Sequence, residues 1–192
     1  MNEFILFGGI KMEILALIGS PRKNSNCEII VDEMAKGAEE NGHEVIKYIV
    51  NDLDIAPCYG CELCRDGNDC RHIDDGTEII DQLADGASVI FASPIYFGQM
   101  SAQAKTIVDR FYSIFNNPNK GFGEDAKAAI VLTHAFPGAY DPYLQLTIAQ
   151  PFQNNMQMEI VGTLDAGDLK FPGEAKERED LLKEAYEIGK KF

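Results

Sequence analysis

No apolar run in the 192-residue chain approaches the ~18 residues needed to cross a bilayer, which excludes a membrane-spanning helix from the reading. The short stretch Phe4-Ile5-Leu6-Phe7 lacks the basic start and small-residue cleavage site of a signal peptide, so the cytoplasm is the expected compartment. Positive charge is scarce too. Lys and Arg number 17 against 31 Asp and Glu, a formal net charge of −14, and no basic cluster exceeds Arg22-Lys23. Nucleic acid needs a positive stripe to displace phosphate counterions, and anionic membrane surfaces repel an acidic chain, so neither is an expected partner. The chain also lacks a G-x-G-x-x-G dinucleotide fingerprint and a Walker A loop. Internal repeats, low-complexity tracts and linkers are missing, and the length suits one domain.

Cysteine is sparse except in one place. Four of the five, Cys58, Cys61, Cys64 and Cys70, fall within a single short segment. A chain of this size has no need of disulfide staples, and such close spacing makes a poor disulfide framework. Metal or redox chemistry in a reducing compartment accounts for it better.

Along the rest of the chain, apolar runs alternate with helical patterns, the signature of a parallel sheet covered by helices on both faces. Strands are expected at 12–18, 45–50, 88–92, 128–132 and 158–161. The first helix opens with Ser25 and Glu28 in capping-box spacing, carries Ile30, Met34 and Ala38 on one face and ends at Asn41-Gly42. Further helices are expected at 78–83, 101–115, from 142 onward and at 174–190, with 51–76 irregular. The fold class is therefore α/β, a doubly wound five-stranded parallel sheet. Ligands in that architecture bind beyond the carboxyl ends of the strands at the topological switch point, so the loops starting at Gly19, Ser93 and Thr133 matter most.

The first of these, Gly19-Ser20-Pro21-Arg22-Lys23-Asn24-Ser25-Asn26, joins a buried strand to a helix N-terminus, where backbone N–H groups and the helix dipole favour an anion. Ser20, Ser25 and Asn26 add short donors and Arg22 adds charge, so the loop reads as a phosphate-monoester cradle; helix capping is the competing use of the same residues. Tyr96, Phe97 and Met100 offer apolar walls for a flat ring.

This loop resembles the FMN phosphate loop of the flavodoxin-like NAD(P)H-dependent FMN reductase family, and a second block, Ser93-Pro94-Ile95-Tyr96-Phe97-Gly98 followed by Lys105 and Asp109-Arg110-Phe111, resembles the segment that lies along the isoalloxazine ring there. The resemblance covers 12–115 firmly and the remainder by order of elements. It implies FMN as cofactor, contacted by Ser20, Arg22, Ser25, Asn26 and Cys27 at the phosphate, Pro94, Ile95, Tyr96, Phe97 and Gly98 at the ring, and Thr133 and His134 at the pyrimidine edge. It also implies a homodimer or homotetramer. The sequence departs from the family in carrying Cys27 where Thr or Ser is common, and in lacking paired glycines after Thr133. Residues 1–11 precede the family's usual start, which makes Met12 a candidate initiator and 12–192 the expected domain.

The spacing Cys58-x2-Cys61-x2-Cys64-x5-Cys70 lets a loop wrap a cubane 4Fe–4S cluster, with Gly60 and Gly67 giving backbone freedom. It resembles the iron–sulfur flavoproteins, a branch of the same family. Zinc sites usually pair two C-x2-C knuckles across a longer gap. No side chain reads as a general acid, base or nucleophile. The expected function is an FMN-dependent oxidoreductase passing electrons between FMN and a cluster, with NAD(P)H as a transient donor and a protein or small molecule as further electron donor or acceptor. A cluster-free NAD(P)H-dependent FMN or quinone reductase and a flavodoxin-like electron carrier are the alternatives.

Overall fold

The computed structural model describes residues 12–192; the segment 1–11, read above as an extension, lies outside the described residues. Five parallel strands form the sheet: β1 (Glu13–Ile18), β2 (Glu44–Ile49), β3 (Ser88–Tyr96), β5 (Lys127–Thr133) and β6 (Glu159–Ala166), in the order β2-β1-β3-β5-β6. A sixth, two-residue strand, β4 (Gln99–Met100), folds back antiparallel on the end of β3. The order reverses direction at β1, so the crevice between β1 and β3 is the switch point of a flavodoxin-like sheet.

Alternation along the strands builds the two faces. Leu15, Leu17, Val89, Phe91, Ala128, Ile130 and Leu132 pack one way, against α2 (Gly76–Ala84), α3 (Ala102–Arg110), α4 (Tyr112–Phe115) and α5 (Pro142–Gln150). Ile14, Ala16, Ile18, Ile90, Ala92, Ala129 and Val131 pack the other way, against α1 (Asn26–Glu40) and α6 (Glu179–Gly189). Nearly all are shut off from solvent, and each large aliphatic contributes roughly 1.5–3 kcal/mol on burial. Among the described residues, no helix is long and apolar enough to cross a membrane.

Beyond the short strand β4, four elements differ from the sequence expectation, and the helix expected at 174–190 is one of them: it opens as a 3-10 turn over Glu174–Glu177, breaks at Arg178 and continues as α6. β3 runs four residues past Ala92, through Pro94, because its pairing with β5 continues to Pro94↔Thr133 after the pairing with β1 stops at Ile18↔Ala92. One flank of β3 is then without a parallel partner, and a residue lacking an N–H is tolerated there. The expected 101–115 helix breaks at Phe111 into α3 and α4. β6 continues to Ala166 rather than stopping at 161, which carries its following loop to the same end of the sheet as the other strand-end loops.

The α1–α6 contact depends on missing side chains. A Cβ on Gly37 would overlap the carbonyl oxygen of Tyr186, and one on Gly189 would overlap that of Met34. The helices thus meet backbone to backbone, and that closeness offsets the ~1 kcal/mol that an interior helical glycine costs. Gly37→Ala is expected to destabilise the protein by about 1–3 kcal/mol through overpacking, read as a lower urea midpoint at unchanged m-value. A midpoint raised by the better helix former would contradict the close contact.

Candidate functional site

A cleft of about 260 Å³ opens at the carboxyl ends of the strands, where Ser20, Ser25, Asn26, Ile95, Tyr96 and His134 meet. Arg22, Pro94 and Thr133 also line it, so the structure brings nine of the twelve residues expected at a flavin together in one place. Of the other three, Cys27 is buried behind Thr133, while Phe97 and Gly98 form the tip of the β3–β4 hairpin, with Phe97 fully exposed. Both tip residues have positive φ, 50° and 79°, as a two-residue hairpin turn requires.

The phosphate-side loop is built from capping chemistry. Ser25 sits at the N-cap of α1, and its Oγ accepts from the Glu28 N–H at 3.1 Å. The reciprocal half of the capping box is not made, because the Glu28 carboxylate pairs with Lys47 at 3.3 Å instead. Ser20 is buried, and its Oγ accepts from the Arg22 N–H at 3.4 Å. Asn26 is turned to another purpose: its Nδ2 donates to the Phe171 carbonyl at 2.9 Å and its Oδ1 accepts from the Ala175 N–H at 3.0 Å. That pins the loop after β6 over the cleft and adds Leu169, Lys170 and Pro172 to its lining, residues the sequence reading passed over. Arg22 reaches the same loop, donating to the Lys170 carbonyl at 3.2 Å.

Ser101 ties the loops together from beneath. Its Oγ donates to the Gly19 carbonyl at 2.5 Å and accepts from the Ala104 N–H at 3.1 Å, capping α3, while its N–H donates to Ser93 Oγ at 3.0 Å. On the opposite wall His134 pairs through Nε2 with Asp165 Oδ1 at 2.8 Å; Asp165 also accepts from the Tyr140 N–H and Gln145 Nε2. His134 Nδ1 is buried with no partner among the described residues. Buried hydroxyls at a helix N-terminus, an unpartnered imidazole nitrogen and an apolar wall at Ile95 and Tyr96 fit the phosphate, polar edge and ring of FMN.

Burial pushes the Cys27 thiol up to about 12, although bonds from Thr133 and its own N–H pull the other way; its Sγ lies 3.2 Å from Thr133 Oγ1. It is a neutral packing group, inert as a nucleophile near pH 7.

The cysteine segment lies between β2 and α2. Cys58, Cys61, Cys64 and Cys70 all line a second, small cavity of about 20 Å³, together with Tyr59, His72, Arg110 and Tyr112. The backbone is wound tightly: Gly60, Glu62 and Gly67 all take left-handed φ, and the Gly60 N–H donates to Cys58 Sγ at 3.4 Å. Burial raises the Cys64 pKa against bonds from the Arg65 and Cys64 N–H groups, and nearby Cys70 and Cys58 raise it further. The base of the loop is closed by Asp74, whose Oδ2 accepts from the Ala56 N–H and whose Oδ1 accepts from the Gly76 N–H, each at 3.0 Å. Arg110 Nη1 donates to both Asp74 oxygens, at 3.1 and 2.8 Å, and to the Ala56 carbonyl at 3.0 Å. Burial alone would raise the Asp74 pKa, but Arg110 and the two N–H groups together hold it below the usual carboxylate range. This support is fully present above about pH 3.9 and is lost as pH falls through the lowered value.

Among the described residues, no three His, Cys, Asp or Glu side chains converge closely enough to grip a single ion. A cubane asks for something different: each thiolate binds its own iron at a separate corner, so the sulfurs ring a cavity instead of meeting at a point. The donor set fits that chemistry.

Iodoacetamide at pH 8 is expected to leave Cys27 unlabelled in the native protein and to label it once urea unfolds the chain, as read by peptide mass mapping. Native labelling at the rate of an exposed thiol would contradict its burial.

Comparison with known proteins places this geometry. Residues 12–139 match the family model for NADPH-dependent FMN reductase. An iron-sulfur flavoprotein of Methanocaldococcus jannaschii is 31% identical over 94% of this chain and 95% of its own length. One from Methanosarcina thermophila is 37% identical over 52% of each chain. In fold, the chain is similar to a NAD(P)H:quinone oxidoreductase from Methanothermobacter marburgensis, with TM-score 0.67 and 17% identity, covering 94% of this chain and 96% of that one. An azoreductase from Bacillus anthracis gives TM-score 0.65 at 15% identity, over 94% and 100% of the two chains. The chain belongs to the NADPH-dependent FMN reductase family, in its iron–sulfur flavoprotein branch.

Proposed function

We propose that the protein is an FMN-dependent oxidoreductase that moves electrons between FMN in the strand-end cleft and a 4Fe–4S cluster on the cysteine loop. The observation that carries this is the cleft at the β1/β3 switch point, where the buried Ser20 and Ser25 hydroxyls stand at the N-terminus of α1 beside Tyr96 and His134. FMN accepts two electrons together and releases them singly, while a cluster handles one at a time, so the pair converts between hydride donors such as NAD(P)H and one-electron carriers.

Each residue then has a defined task. Ser20, Ser25 and the first N–H groups of α1 hold the phosphate, with Arg22 screening its charge. Ile95 and Tyr96 exclude water from one side of the ring. Thr133 and His134 meet the pyrimidine edge, with Asp165 fixing the imidazole orientation. Cys58, Cys61, Cys64 and Cys70 hold the cluster.

A homodimer or homotetramer fits this reading. Phe97, Phe136 and Phe171 are all exposed, and they follow β3, β5 and β6 at the cleft's end of the sheet, where a second subunit would cover them. Free cysteines and the acidic surface suit the cytoplasm.

Protein purified without oxygen is expected to contain FMN, identified by mass spectrometry of the released cofactor, together with iron and acid-labile sulfide. Recovery of FAD alone would overturn the cleft assignment. FMN without iron would leave a cluster-free reductase in its place. Ser20→Ala is the cleaner binding test, since Ser25→Ala also removes a helix cap worth about 1 kcal/mol. Each lost phosphate bond is expected to weaken FMN by about 1.5–3 kcal/mol in a fluorescence titration, and unchanged affinity in the double variant would refute the cradle.

A further inference from the structure

Arg110 is among the largest fully buried side chains of the protein, 1% exposed, yet only one of its three nitrogens is engaged. Nη1 carries every bond to Asp74 and Ala56; Nε and Nη2 are shut off from solvent with no partner among the described residues. A buried guanidinium normally spends its whole fork on acceptors, and each unmet charged donor is costly. The side chain lines the cavity walled by Cys58, Cys61, Cys64 and Cys70. In the same wall His72 Nε2 is likewise buried without a partner, its ring edge-on to Tyr59 at 4.4 Å. The cysteine cavity thus collects unmet donors beside four sulfurs.

We propose that Arg110 sets the potential of the cluster held by these cysteines, donating from Nε and Nη2 to its sulfur atoms and placing a fixed positive charge against it. The inference rests on the cluster reading above and adds a residue outside the cysteine motif. Its physics is charge balance. A cubane with four thiolates carries two negative charges when oxidised and three when reduced, so an adjacent cation stabilises the reduced form more. Asp74 works against this, because it neutralises part of the guanidinium from the other side at 2.8 Å. The pair therefore acts as a graded charge: Arg110 raises the cluster potential and Asp74 moderates it.

The two partners should move the potential in opposite directions, which a purely structural pin would not do. The measurement is an anaerobic redox titration followed by the electron paramagnetic resonance of the reduced cluster, with iron, sulfide and FMN content determined on the same samples. Arg110→Gln is expected to lower the cluster potential by at least a tenfold change in the one-electron equilibrium, about 59 mV. Asp74→Asn is expected to raise it. Arg110→Lys, which keeps the charge and loses the fork, should fall between Arg110→Gln and the unaltered protein, and it serves in place of Arg110→Gln if that variant fails to hold iron. Full iron with an unmoved potential in Arg110→Gln, or shifts of the same sign in the Arg110 and Asp74 variants, would overturn the proposal. Unaltered protein that holds FMN but no iron would instead bring down the cluster reading, and this proposal with it, before any variant is made.

Discussion

Two buried polar clamps hold α3, and both candidate sites hang from it. At its start, the Ser101 hydroxyl bonds the Gly19 carbonyl while its N–H bonds Ser93, which locks the loops after β1 and β3 to one another. At its end, Arg110 closes the base of the cysteine loop through Asp74 and Ala56. A helix rises 1.5 Å per residue, so the nine residues of α3 set the clamps roughly 13 Å apart. Ser101 and Arg110 are each 1% exposed, and removing a partner of either would leave buried polar groups unmet, which is costlier than losing a surface bond. The geometry of the strand-end cleft and of the cysteine cavity is therefore fixed by one rigid element instead of by the loops that display the functional groups.

The charge distribution follows the same division. The chain is strongly acidic overall, yet the two places proposed to hold anions each carry basic groups: Arg22 over the cleft and Arg110 in the cysteine cavity. They differ in kind. Arg22 is exposed and reaches a carbonyl of a neighbouring loop, so its charge is screened and adjustable. Arg110 is sealed in and tied to a single carboxylate, where low dielectric strengthens every interaction it makes. A surface arginine suits a cofactor that binds and leaves; a buried one suits a group assembled in place.

Much of this was legible in the sequence because it depends on local pattern. The apolar runs of the strands, the Ser25 N-cap and the strand-end loops are set within a few residues, and the structure keeps all of them. What escaped the reading depends on long-range contact. Asn26 reads as a phosphate donor in its own loop, yet its amide is taken up by Phe171 and Ala175, some 145–149 residues away. The turn at Phe97-Gly98 was hidden because phenylalanine rarely adopts positive φ, and nothing around it carries the Asn-Gly or Asp-Gly signal of such hairpins. Arg110 stood within a motif block, but that two of its nitrogens are buried without partners is a property of the folded core alone.

Placing the cysteine segment between β2 and α2, outside the sheet, has a consequence for how such a protein can vary. None of the four cysteines pairs in the sheet or lines the strand-end cleft, and their loop is closed by Asp54 and Asp75, Ala56 and Asp74, and the side chain of Arg110. Additional contacts from Asn117 to the Asn68 carbonyl and from Asn119 to the Gly67 carbonyl brace its far side. The loop can therefore gain, lose or retune sulfur ligands without disturbing strand register or the phosphate cradle, since none of those bonds runs through it. Arg110 is the exception, because its backbone belongs to α3 and its charge faces the sulfurs. A change there is felt by the helix that also carries Ser101, so on the proposed reading the electronic properties of the sulfur site and the geometry of the flavin cleft meet in α3.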